Sequence, residues 1–99
     1  MCYSLDELKS LIEPIAKQFG VQKVSVFGSY SKGTANDNSD LDIIIEKGNL
    51  RTLFQLSSFR LAIEDLLKIP VDLVTTEASD REFLQMILAD EVMIYGNAG

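Results

Sequence analysis

Ninety-nine residues with 15 acidic against 9 basic side chains, a formal net charge of −6, 46% hydrophobic and 24% charged content suit one small globular domain spanning residues 1–99. No apolar run nears the roughly 20 residues of a membrane span, and acidity without a basic run argues against direct binding of a long nucleic acid. The lack of histidine and the single cysteine, Cys2, exclude a zinc site of the usual kind, an internal disulfide and histidine-assisted nucleophilic catalysis.

Met1-Cys2-Tyr3-Ser4 does not open a secretory leader, so a reducing cytoplasm is the expected setting. A domain of this size buries roughly 60–70% of its unfolded surface, a modest core that leaves room for help from a partner. The acidic surplus fits either a solvated surface or a basic protein partner.

Ser4 and Glu7 form a capping box for the first predicted helix, where Leu5, Leu8, Leu11, Ile12, Ile15 and Phe19 recur at helical spacing up to Gly20. Pro14 either kinks this helix or marks a new start near Glu13, because an interior proline costs about 3 kcal/mol. Residues 21–27 alternate as a first strand. A polar loop follows from Gly28, and residues 40–46 form a second strand whose face of Leu41, Ile43 and Ile45 suits a helical layer. Lys47-Gly48-Asn49 is a turn.

Residues 50–69 carry the longest helical pattern, with Leu53, Leu56, Phe59, Ile63, Leu66 and Leu67 on one broad face. Leu50, Phe54 and Leu61 widen it, either for packing on the sheet or for a partner. Pro70 ends that helix, and residues 71–76 read as a third strand. Ser79 and Glu82 suggest a second capping box, opening a helix with Phe83, Leu84, Ile87 and Leu88 inward; residues 91–95 make a short last strand. This alternation predicts an α/β (α+β), two-layer domain with a mixed sheet and helices packed on one face.

The chemistry concentrates between the first two strands. Alternate strand positions share a face, so Asp40 and Asp42 are expected side by side, roughly 6.6 Å apart at about 3.3 Å per residue. Two such oxygen ligands can lean onto a pair of divalent ions about 3.5–4 Å apart. Gly28 permits close backbone approach to a ligand. Ser29 stands where a helical turn begins and favours either a phosphate or a capping role. Lys32, about one turn on, supplies a point charge to phosphates or remains a solvated lysine. Asp72 is out of place inside a strand, where aspartate is disfavoured, and is either functional or a solvated edge residue. Metals beside a phosphate cradle are what phosphoryl or nucleotidyl transfer requires.

Gly28-Ser29, ten intervening residues and Asp40-x-Asp42 together resemble the signature of the DNA polymerase β-like nucleotidyltransferase superfamily. The local wording from Phe27 to Gly33 and from Ser39 to Asp42 resembles its minimal nucleotidyltransferase (MNT) branch, and the likeness spans nearly the whole chain. The resemblance implies a nucleotidyltransferase fold with Asp40, Asp42 and Asp72 as catalytic metal ligands. Asp72 would position or deprotonate the attacking hydroxyl. It further implies two Mg²⁺ ions, or Mn²⁺ in their place, and ATP as co-substrate, with Gly28, Ser29 and Lys32 on its phosphates. Attack would be in line on the α-phosphate, releasing pyrophosphate. Tyr30 and Ser31 depart from the arginine-bearing form of many MNT proteins, which leaves the phosphate-side cation open.

Similar short MNT proteins are antitoxins encoded beside a HEPN-domain ribonuclease toxin, to whose tyrosine they transfer AMP. The implied partner is a HEPN-type toxin, held in a hetero-oligomer, with no direct nucleic acid and no membrane. Two alternatives stand beside this reading: a non-catalytic antitoxin that masks its partner by binding, and a small-molecule nucleotidyltransferase of the aminoglycoside kind. The second is disfavoured because no segment after the last predicted strand would form an acceptor-binding domain.

Overall fold

Ser4 Oγ accepts the Glu7 N–H at 3.1 Å while Glu7 Oε1 accepts the Ser4 N–H at 2.9 Å, so the first helix opens on the reciprocal cap its sequence predicts. The computed structural model describes residues 3–36, 38–76 and 80–96, with the side chain of Leu88 outside that description. Its elements are α1 (Leu5–Phe19), β1 (Lys23–Phe27), α2 (Ser29–Lys32), β2 (Leu41–Glu46), α3 (Leu53–Leu67), β3 (Val71–Thr75), α4 (Arg81–Asp90) and β4 (Val92–Gly96). Cys2, Ser79 and the expected inward place of the Leu88 side chain lie outside the described residues.

Pro14 lies inside a continuous α1. The bond it forgoes is to the Ser10 carbonyl; both residues are exposed, so the lost bond lies on the solvent side and the helix continues. Gly20 ends α1 in the left-handed region at φ 72°, as its position predicts. The same cap takes the Val21 N–H back to Ala16 O at 3.0 Å, which is why β1 starts at Lys23 and not at Val21. α3 starts three residues later than its apolar pattern suggests, because Leu50 is held in a turn by its N–H to Lys47 O at 2.9 Å. Thr52 and Gln55 then form a capping box that the sequence reading passed over. The cap of α4 is Asp80, whose side chain accepts the Phe83 N–H at 2.8 Å.

The four strands form one mixed sheet in the order β3-β2-β1-β4, with β1 antiparallel to both neighbours and β2 parallel to β3. Val24 and Val26 of β1 join Leu41, Ile43 and Ile45 of β2 against Leu8, Ile12 and Ala16 of α1 and Phe59, Ile63 and Leu67 of α3. Phe19 and Phe59 meet edge to face there, ring centres 5.5 Å apart. The main helical layer therefore lies on one face, as expected. α4 adds partial cover to the other face: Leu84 and Glu91 come up beside Ser25 and Ile44, and Lys23 Nζ pairs with Glu91 Oε1 at 3.2 Å. The broad apolar face expected of α3 is only partly buried. Phe59, Ile63 and Leu67 are enclosed, while Leu53, Phe54, Leu61 and Leu66 are exposed. In α4 Ile87 is buried but Phe83 is exposed.

Candidate active site

β1 ends at Phe27, directly opposite Asp42 of β2. Gly28 then turns the chain at φ 72° and ψ −145° into the single turn of α2. A side chain at Gly28 would collide with Asp42 Oδ2, so glycine is required twice, for the backbone angle and for the space beside that carboxylate. α2 is pinned by Ser31 Oγ donating to Gly28 O at 2.9 Å, by the Lys32 N–H to the same oxygen at 3.1 Å, and by Tyr30, buried in the core. Ser29 is half-buried at the first position of the turn, and its hydroxyl makes no hydrogen bond among the described residues.

The parallel ladder sets Asp42 of β2 opposite Asp72 of β3, both on the face turned away from α1 and α3. Burial pushes the Asp42 carboxyl up to about 6; the charge of Asp72, a hydrogen bond to Asp72 and the charge of Asp40 add to the rise. Asp72 is exposed yet within hydrogen-bond reach of Asp42, so the out-of-place strand aspartate has a neighbour and is not merely solvated. Asp40 is exposed one residue ahead of β2, so the side-by-side pair expected within one strand is instead a pair at the strand's entrance.

Among the described residues the acids are neighbours without closing into a three-ligand cage. Their chemistry nonetheless fits a hard divalent cation. The donors are oxygens only, and the charges of Asp72 and Asp40 act against ionisation of Asp42, a repulsion that a cation would relieve. Lys32, expected on the phosphates, is the last residue of α2, and its Nζ lies 3.5 Å from Asp90 Oδ2 at the end of α4, a pair largely open to solvent. The sequence reading did not single out Asp90. Nothing local marks it, since only the return of α4 across the sheet brings it to Lys32.

Several known proteins share this frame. A protein of Methanocaldococcus jannaschii, named provisionally as a protein adenylyltransferase, is 35% identical over 72 residues, 73% of this chain and 77% of its own length. The protein adenylyltransferase MntA of Thermococcus cleftensis is 28% identical over 95 residues, 92% of this chain and 96% of its own. Among solved structures, a toxin–antitoxin complex with AMP-PNP superposes at a TM-score of 0.79 with 23% identity, covering 91% of this chain and 74% of that one. The MNT antitoxin complex with a tri-AMPylated HEPN toxin from Shewanella oneidensis gives a TM-score of 0.63 with 19% identity, over 90% and 73% of the two chains. These two likenesses speak for the fold. The family described as Polymerase beta, Nucleotidyltransferase matches residues 9–98, nearly the whole of the domain built around Gly28 and Asp42, and this chain belongs to it.

Proposed function

We propose that this chain is an antitoxin nucleotidyltransferase that moves AMP from ATP to a tyrosine hydroxyl of a HEPN-type toxin, neutralising it within a cytoplasmic hetero-oligomer. The observation that carries the reading is the placement of Asp72 opposite Asp42, directly beside the Gly28–Ser29 corner. The relatives named as protein adenylyltransferases support the transfer to protein, and the net charge of −6 favours a protein acceptor over a nucleic acid.

Asp40, Asp42 and Asp72 would hold Mg²⁺, which when bound supplies positive charge to the reacting phosphate and to the departing pyrophosphate. Gly28 leaves room for the triphosphate, and the Ser29 hydroxyl, with no other bond among the described residues, is available to a β- or γ-phosphate oxygen. Lys32 reaches the same oxygens by exchanging its contact with Asp90 for one with phosphate. Asp72, open to solvent on its outer side, holds the acceptor hydroxyl and takes its proton as the oxygen attacks the α-phosphorus.

The test is incubation of the chain with its HEPN partner, ATP and Mg²⁺, followed by intact-mass analysis of the partner. A gain of one or more AMP units on tyrosine, lost with Asp42→Ala, is the expected result. Neutralisation that survives Asp42→Ala would establish masking by binding alone. AMP transfer to an aminoglycoside with no partner present would establish a small-molecule enzyme.

A further inference from the structure

β3 is the outer strand of the sheet, and its hydrogen bonds to β2 fix which of its backbone groups point outward. The Leu41 N–H bonds Pro70 O at 2.9 Å and the Thr76 N–H bonds Ile45 O at 3.1 Å. Backbone groups of a strand alternate in direction, so Pro70, Asp72, Val74 and Thr76 face β2, whereas Val71, Leu73 and Thr75 face outward. The outward Val71 N–H is closed off by Glu64 Oε2 at 2.9 Å, itself held by Arg60 at 2.9 Å. The outward amide of Leu73 has no hydrogen bond among the described residues.

A groove of about 600 Å³ runs along this edge. One wall is Leu53 and Leu56 of α3, the other is Phe83 of α4, and Leu73 and Val74 form the floor. Leu53 is 82% exposed and Phe83 40% exposed, so both walls present apolar surface to solvent. Proteins ordinarily blunt an open edge with charge or cover. Here Glu64 blunts one end and leaves the middle open.

We propose that this groove seats an extended segment of the protein partner as a fifth strand beside β3. The inference rests on the partner reading above and adds the form in which the acceptor arrives. A strand satisfies both features at once: its backbone answers the Leu73 amide, and its alternate side chains meet Leu53 and Leu56 on one face and Phe83 on the other. A helix laid in the groove would fill the walls and leave that amide without a partner. The matching segment is apolar on both faces and basic at its ends, because Asp72 immediately precedes Leu73 in β3 and Asp80 lines the groove. Glu64, occupying Val71, stops the added strand level with Asp72, so a tyrosine at the segment's end reaches the site without any rearrangement of the sheet.

Amide hydrogen exchange on the complex of the full chain with its HEPN partner tests this. The Leu73 amide is expected to exchange at least about tenfold more slowly in the complex than in the free chain. Leu53→Lys, at an exposed position, is expected to raise KM for the partner about tenfold with kcat and thermal stability nearly unchanged. AMP transfer with an unprotected Leu73 amide would overturn the strand seat while leaving the transfer reading intact. Protection of Leu73 with no AMP transfer would support the seat and sink the transfer reading. Protection that appears in the chain alone and grows with its concentration would also overturn the proposal, by assigning the edge to a second copy.

Discussion

Asp42 and Asp72 face each other across the parallel β2–β3 ladder, and burial, helped by the charge of Asp72 and a hydrogen bond to it, pushes the Asp42 carboxyl up to about 6. The folded pKa of Asp42 thus lies above its ordinary value of 3.8, so between these values the folded chain binds more protons than the unfolded one. Stability then falls as pH rises from about 4 through about 6, the reverse of a salt-bridged carboxylate. Because the site is partly open to water, the loss is on the order of 1–2 kcal/mol, less than the full shift implies. Asp42→Asn removes the repulsion, so the metal-free variant should melt higher than the parent at pH 7.5 and equal to it near pH 4. Thermal melts across that range are the check, and a parent chain whose stability rises between pH 4 and 6 would contradict the arrangement.

Gly28 and Gly33 both have positive φ, at 72° and 74°, but only Gly28 has a neighbour in the way. Gly33→Ala should cost about 1–2 kcal/mol of backbone strain alone, since no atom of the described residues lies within 4 Å of an added Cβ. Gly28→Ala puts a side chain at φ 72° and ψ −145°, outside the left-handed region that Gly33 occupies and more strained, and must also displace the Asp42 carboxylate. It should lose at least as much stability as Gly33→Ala and most of its AMP transfer. Chemical denaturation paired with a transfer assay separates the two effects; equal activity in the two variants would remove Gly28 from the site.

Much of this was legible in the sequence where one signal decided one thing. Alternation put Leu41, Ile43 and Ile45 on the helical side, which forces Asp42 to the other side. Asp72 announced itself because aspartate inside a strand needs a reason. The start of α3 was hidden because Leu50 continues the apolar pattern although it is held in a turn, and a cap at Thr52 is polar punctuation inside that run. The exposure of Leu53 and Leu66 was equally hidden, since composition records that a residue is apolar and not which neighbours arrive to cover it. Asp90 could not be found from spacing, because its approach to Lys32 is decided by where α4 crosses the sheet.

The pairing of Lys32 with Asp90 divides stability from function. An exposed ion pair of this kind contributes about 0–1 kcal/mol, so Lys32→Ala and Asp90→Ala should each leave the melting temperature nearly unchanged. Their kinetics should diverge. Lys32→Ala removes a cation that the triphosphate uses and should raise KM for ATP about tenfold, whereas Asp90→Ala releases that cation and should leave KM unchanged or lower it. Steady-state kinetics with ATP varied is the measurement, and equal rises in both variants would mean that Lys32 acts only through its partner on α4.

A divalent cation should reverse the instability that the acids impose on one another. At pH 7.5 Asp42 is ionised beside Asp72 and Asp40, so the cost of burying its charge and the repulsion from its neighbours are both present in full. Mg²⁺ binding to the folded chain at ten times its dissociation constant stabilises by about 1.4 kcal/mol. For a domain of this size that corresponds to a rise of roughly 6–11 °C in melting temperature. Asp42→Asn should gain little from the same addition, having lost both a ligand and the repulsion that Mg²⁺ relieves, and excess chelator should return the parent to its metal-free value and abolish transfer. Melts with and without Mg²⁺ at fixed ionic strength, with a monovalent salt control against simple screening, decide the matter. An identical rise in parent and Asp42→Asn would place the ion elsewhere on this acidic surface and detach the metal from the Asp42–Asp72 pair.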